Sequence, residues 1–265
     1  MKKENHLISI LVTNFNKSKF LFETLNSIKK QDYQNFEIII YDDCSTDNSL
    51  EILKKFKIRN KIVILGKKKL SHSAEINQIN GLIKCLKISR GSIICLLDGD
   101  DKFKKNKLTF INNYFQKNKN INFLINNIIN KNINFNLSNK LKLKRSWPVI
   151  YPTSCINMKR IFFQNFIKKN FHKNFNLLAI DLRLQLFANL FSKECFISNK
   201  KLSFYTYDLK NNENKYPKYK KKWWVRRLQA FKFLKQIQKK QNQKFFFNTE
   251  YLLTWIINIF IKKLL

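Results

Sequence analysis

SIICLLDGDD, Ser92–Asp101, is a continuous apolar run that ends abruptly in three carboxylates around one glycine. An apolar stretch this short and unbroken reads as a strand buried on both faces, the kind found inside parallel sheets. Carboxylates crowded at its end repel one another unless a cation or a proton is held there. The same plan recurs upstream. LISILV at Leu7–Val12 runs into Thr13-Asn14-Phe15-Asn16, and FEIIIY at Phe36–Tyr41 runs into Asp42-Asp43. KIVIL at Lys61–Leu65 and the stretch Asn122–Ile129 supply two more strands.

Helical stripes separate these runs. Lys17–Lys30 carries Phe20, Leu21, Leu25 and Ile28 on one face, and Ser45-Thr46-Asp47 would cap a second helix reaching Phe56. Ala74–Ser89, stopped at Arg90-Gly91, and Lys105–Gln116 are the next two. Strands alternating with amphipathic helices predict an α/β fold with a mainly parallel sheet and helices on both faces. In such sheets ligands bind beyond the carboxyl ends of the strands. Thr13–Asn16, Asp42-Asp43 and Asp98–Asp101 are therefore predicted to meet at one edge.

Further on, the Asn/Lys-rich residues 130–146 read as a mobile excursion and Trp147–Ser154 as a loop. Ile156–Ile167 and Leu177–Phe191 read as helices, the second with Asp181 near its start, and Leu202–Tyr207 as a last strand. A change of composition near residue 210 divides a catalytic domain, 1–210, from a basic, aromatic helical extension, 211–265. Within that extension, YLLTWIINIFI at Tyr251–Ile261 is too short to span a bilayer. It suits a membrane interface, or else a packing helix or a dimer contact.

Composition narrows the function classes. Five cysteines, Cys44, Cys85, Cys95, Cys155 and Cys195, stand singly, which argues against a disulfide framework or a zinc cage. His6, His72 and His172 have no ligand spacing. With no visible signal peptide, the expected location is cytoplasmic, including a peripheral position at the inner face of the cytoplasmic membrane. Lys and Arg outnumber Asp and Glu by 52 to 17, a formal charge of +35. An anionic membrane surface and compositional drift both account for that charge better than a nucleic-acid partner does. Against so basic a background the acids are informative. Seven of the nine Asp are Asp42, Asp43, Asp47, Asp98, Asp100, Asp101 and Asp181.

Asp98-Gly99-Asp100-Asp101 could grip a hard divalent cation whose shell is completed by phosphate oxygens and water, or it could be a solvated turn with capping acids. Asp43 could accept hydrogen bonds from a nucleobase or ribose, while Asp47 and Ser45 suit a helix start. Thr13 and Asn16 could touch the same nucleotide, and turn formation accounts for Asn16 nearly as well.

ISILVTNFN, FEIIIYDDCSTDNS and GSIICLLDGDD, in that order and spacing, resemble the inverting glycosyltransferase family 2, with its GT-A fold. The likeness is clear over about residues 7–110 and looser to about 207. It implies an enzyme moving a sugar from a nucleoside diphosphate donor, UDP-sugars favoured, to a hydroxyl on a glycan or lipid-linked glycan, in surface polysaccharide or lipopolysaccharide synthesis. By this resemblance Thr13 and Asp43 contact the base and Asp98 the ribose or diphosphate. Asp100 binds Mn²⁺ or Mg²⁺, Asp181 is the catalytic base, and Trp147–Ser154 lines the donor sugar and acceptor. Two features depart from the family pattern. Asn80–Lys84 replaces an Arg-Asn pair, and Ile180 stands where a Glu usually precedes the base. The competing readings are a nucleotidyltransferase and a non-catalytic basic protein, binding membrane or nucleic acid, with a decayed transferase core.

Overall fold

Alternate residues of the first strand, β1 (Ile8–Asn14), enter different cores. Ile8, Ile10 and Val12 pack with Leu21, Leu25 and Ile28, whereas Leu11 packs with Ile79, Leu82 and Cys85. A strand buried this way must be covered on both faces. The structure is a computed structural model that describes residues 5–66, 71–129, 150–192, 195–206, 216–242, 244 and 249–263. The 130–146 excursion, Trp147–Val149 and the boundary near residue 210 fall outside them.

β1 pairs in parallel with β2 (Phe36–Asp42) and β4 (Ile93–Asp98), and β2 pairs in parallel with β3 (Lys61–Leu65). The register sets Thr13 between Tyr41 and Asp98, and Asn14 beside Asp42. All three polar clusters therefore leave the sheet at one edge. Helices α1 (Ser18–Lys29), α2 (Ser49–Lys55) and α4 (Lys107–Lys117) bury their apolar stripes on one face. The other face is covered by α3 (Ala74–Ile88), α5 (Arg160–Lys168), α6 (Ile180–Phe187) and α7 (Lys221–Lys239).

The remaining strands are β5 (Lys102–Phe103), β6 (Phe123–Ile128), β7 (Ile156–Lys159) and β8 (Cys195–Phe204). They extend the sheet to the order β3-β2-β1-β4-β7-β6-β8-β5. β7 runs antiparallel to both β4 and β6, and β5 antiparallel to β8, so the sheet is parallel in its first half and mixed in its second. The helix expected over Ile156–Ile167 is thus corrected to a strand followed by α5. The segment fills the place between β4 and β6, and the fully buried Asn157 fastens it there, its amide donating to Leu124 O and Asn126 Oδ1. Arg160 then starts the helix, its guanidinium donating to Gly91 O and Leu86 O.

The helix expected from Leu177 begins only at Ile180. Arg183 explains the delay. It is completely buried, and its guanidinium donates to five carbonyls, those of Phe171, Lys173, Asn174, Phe175 and Leu178. The preceding segment wraps around that side chain instead of coiling, with Asn170, Asn174 and Phe175 in left-handed conformation. α6 runs on into a π-helical turn, Ala188–Ser192.

α7 joins the core. Its Ala230, Phe233 and Ile237 share a cluster with Phe171 and Phe187. α8 (Thr249–Lys263) lies against α7 through Arg227–Glu250 at 2.5 Å and Asn258 Nδ2 donating to Trp224 O at 3.0 Å. Among the described residues no helix is long and apolar enough to cross a membrane.

Candidate active site

The two acids that end β2 have separate tasks. Asp42 is buried and accepts from Ser45 N, Ser45 Oγ and Asn14 Nδ2 at 2.7–2.9 Å, which locks the loop after β2 onto β1. Asp43, one residue further, stands beside Tyr41, whose hydroxyl is pushed up to about 12 by burial and by the Asp43 charge. Asp47 accepts from Ser18 N and Ser49 N. Against the burial that would raise it, those bonds draw Asp47 down to about 2. Asn16 laces the same two loops together, its amide exchanging bonds with Thr46 N and Thr46 Oγ1.

Asp98 accepts from Gln78 Nε2 at 2.7 Å and from Thr13 Oγ1 at 3.3 Å. Gly99 lets the next turn approach, since a Cβ there would come within 2.6 Å of Asn14 Oδ1. Asp100 pairs with Lys17 at 2.6 Å. Asp101 corrects the reading of a solvated turn. It is almost fully buried, accepting from Ser154 Oγ at 2.6 Å and Thr206 N at 2.8 Å. Ser154 in turn accepts from Asp98 N, so one hydroxyl ties both acids to the 3-10 turn Thr153–Cys155.

Burial raises Asp98 well above the ordinary carboxylate range, and the charges of Asp101, Asp100 and Asp181 raise it further. Burial and the Asp100 charge likewise lift Asp101 to about 7. The Asp181 charge acts on Asp98, so two positions 83 residues apart in the chain lie near one another. Lys107, buried beneath, donates to Ser154 O at 2.7 Å and Ser203 Oγ at 3.1 Å, and burial brings it down to about 8.

Asp181 sits in the first turn of α6, with Leu182 N donating to its Oδ1 at 2.6 Å. Burial raises its pKa, the Arg226 charge opposes that rise, and the Glu75 charge adds to it. Ile180, standing where the family usually has a Glu, is buried in the core. Glu75 accepts from Tyr216 Oη at 2.6 Å, and the Arg226 guanidinium lies 4.8 Å over the Tyr216 ring.

Residues 9–177 match glycosyl transferase family 2. The chain belongs to that family. It is 35% identical over 105 residues to glycosyltransferase GlyG of Streptococcus pneumoniae, taking in 39% of this chain and 33% of GlyG. The poly(ribitol-phosphate) β-N-acetylglucosaminyltransferase TarS of Staphylococcus aureus is 33% identical over 102 residues, 38% of this chain and 17% of TarS. The matched region is thus a third or less of these relatives' length. A crystal structure of TarS 1–349 with UDP-GlcNAc superposes with a TM-score of 0.64 at 18% identity, covering 85% of this chain and 66% of that one. A mannosyltransferase from Pyrobaculum calidifontis, in complex with GDP-Man and Mn²⁺, gives 0.62 at 13% identity over 86% and 64%. The fold of this family 2 member is GT-A.

Several residues at the family 2 edge escaped the sequence reading. Gln78 and Glu75 are single polar residues in an otherwise ordinary helix, and only the fold brings them to the acids; Ser154 ends the Trp147–Ser154 stretch expected to line the site. Tyr216 and Arg226 come from the basic tail, where thirteen Lys and Arg after residue 215 hide the one that faces Asp181. Lys84, a candidate replacement for the family's basic contact, lies 5.0 Å over the Tyr41 ring. Arg183 is fully occupied by carbonyls and has no free donor to offer a ligand. A groove of about 680 Å³ between α1 and α2 is lined by Glu51 but by none of Asp43, Asp98, Asp100, Asp101 and Asp181.

Among the described residues no three His, Cys, Asp or Glu side chains group as a metal cage. Asp98 and Asp100 nevertheless fit a divalent ion of the Mg²⁺ or Mn²⁺ type. They are hard oxygen donors at one strand end, mutually repelling, and such ions take one or two carboxylates with phosphate oxygens and waters.

Proposed function

We propose that this chain is an inverting glycosyltransferase that uses a nucleoside diphosphate sugar, with UDP-sugars the favoured class. The nearness of Asp181 to Asp98, close enough for its charge to act there, supports the reading, in which Asp98 serves the donor and Asp181 accepts the proton. In this reading Asp43 and Thr13 receive the base, Asp98 serves the ribose or diphosphate, and Asp100, with Asp98 beside it, holds Mn²⁺ or Mg²⁺. When bound, that ion supplies positive charge for the departing diphosphate. Among the described residues, Lys17 pairs with Asp100 and the Arg226 charge acts on Asp181, and both cations are suited to the diphosphate. Asp181 takes the proton of the acceptor hydroxyl as it attacks the anomeric carbon opposite the leaving group, which inverts the configuration. Its raised pKa makes it a better base than a solvated Asp.

TarS acts on a poly(ribitol-phosphate), which supports a surface polysaccharide or lipid-linked glycan as acceptor class. The setting we infer is the cytoplasmic face of a membrane. Thermal stabilisation by UDP, above that by ADP and enhanced by Mn²⁺, is the first test. The second is Asp181→Asn, which keeps shape and donor binding and should lower turnover by about 10²–10⁴. Near-normal turnover in that variant removes Asp181 from the role.

A further inference from the structure

α8 is amphipathic in the sense opposite to a helix on a protein surface. Its fully buried residues are polar, with Tyr251 packing beside them on Phe231 at 5.4 Å. Thr254 and Asn258 are buried, Thr254 accepts from Arg227 Nε, and Glu250 pairs with Arg227. Its outward side holds Leu252, Leu253, Trp255, Ile256 and Phe260, which are 39, 53, 47, 38 and 60% exposed. At 100° per residue these positions form one continuous stripe. The neighbouring α7 obeys the usual rule, burying Leu228, Phe231, Phe233 and Ile237 and exposing Lys232, Lys235 and Lys239. An apolar stripe of this size turned to solvent marks an interaction surface.

Charge selects the occupant. From Tyr216 onward, thirteen Lys and Arg accompany a single acid, Glu250, which is already paired. A second copy would bring two bodies of formal charge +35 together, whereas an anionic surface is complementary. Aromatic residues point the same way. Tyr219, 73% exposed, clusters with Trp223 and Trp224 at centroid distances of 5.4 and 6.3 Å, and Asn258 of α8 bonds the Trp224 carbonyl. Trp and Tyr favour the headgroup level of a bilayer.

We propose that the outward face of α8 docks on an anionic lipid bilayer, the helix lying in the interface with Leu252, Leu253, Trp255, Ile256 and Phe260 in the acyl boundary and the exposed lysines of α7 among the headgroups. This deepens the membrane setting inferred above and does not depend on the catalytic roles. α7 then joins two surfaces: Arg226 and Gln229 face the Asn176–Leu177 segment ahead of Asp181, and Arg227 faces α8. A docked α8 would hold the catalytic edge one helix away from the lipid.

The test is flotation of the full chain with vesicles of equimolar phosphatidylcholine and phosphatidylglycerol, and with phosphatidylcholine alone. Binding should require the anionic lipid and weaken with added salt. Leu253→Glu with Phe260→Glu should weaken binding at least about tenfold with no change in melting temperature, since both side chains point away from the protein. Lys235→Glu with Lys239→Glu probes the electrostatic half and should weaken binding as well. The proposal is overturned if the wild-type chain ignores anionic vesicles, or if the apolar-face variant binds them normally. It is also overturned if the chain is a dimer in solution that this variant dissociates. Asp181→Asn should bind vesicles like the wild type, so a failure of the catalytic reading leaves this result standing.

Discussion

Arg226 Nε donates to the Leu177 carbonyl at 3.2 Å across 49 residues of sequence, fastening the basic tail to the turn that launches Asp181. Gln229 reinforces the tie, accepting from Leu177 N at 2.9 Å and donating to Asn176 Oδ1 at 2.8 Å. Arg226 also opposes the burial that raises Asp181. A base works only when deprotonated, so activity is lost as pH falls through its pKa. Arg226→Gln should therefore move the acidic limb of kcat/KM to higher pH, and Arg226→Lys should restore it. A lower melting temperature with an unmoved limb would reduce Arg226 to a structural strut.

Asp98 offers a stability test. Its folded pKa lies above the unfolded value of about 3.9, so the folded state holds the proton more tightly and stability falls as pH rises between the two. At neutral pH the buried carboxyl is therefore a burden on the ligand-free protein. Asp98→Asn should then melt about 2–4 °C higher at that pH, with the gap closing toward pH 4, while turnover is lost. An equal gap at both pH values would contradict the proposed burden of charge.

Asp100 and Ser154 separate ligand binding from support. Asp100→Ala should abolish the Mn²⁺-dependent part of UDP stabilisation and leave the ligand-free melt nearly unchanged, because Asp100 has only its Lys17 pair to lose. Ser154→Ala removes a donor to buried Asp101 and an acceptor for Asp98 N, and should cost about 1–3 kcal/mol of stability. Calorimetry with and without Mn²⁺ distinguishes the two.

α7 is core rather than appendage. Phe233 is fully buried against Phe171 and Phe175, at centroid distances of 5.9 and 5.7 Å. Phe233→Ala should cost about 3–5 kcal/mol, and removal of residues 220–265 should prevent folding of what remains. A stable, soluble truncation would show that the contacts are dispensable.

The sequence by itself determined the parallel half of the sheet and the edge that carries Thr13, Asp43 and Asp98. Unbroken apolar runs at Leu7–Val12, Phe36–Tyr41 and Ser92–Leu97 can be satisfied only by burial on both faces, and whatever polar residue follows each run must leave at the same edge. Tertiary structure decided what period and propensity leave open. Ile156–Met158 is a strand because β4 and β6 leave a slot between them, α6 starts late because a buried Arg183 gathers five carbonyls, and Asp101 is buried rather than solvated because Ser154 and Thr206 close over it. Glu75, Tyr216 and Arg226 meet Asp181 only through packing of α3 and α7 across long chain separations. The outward apolar stripe of α8 is the same kind of result: the residues were visible as a short apolar run, but which side faced the protein depended on where Arg227 found Glu250 and Thr254.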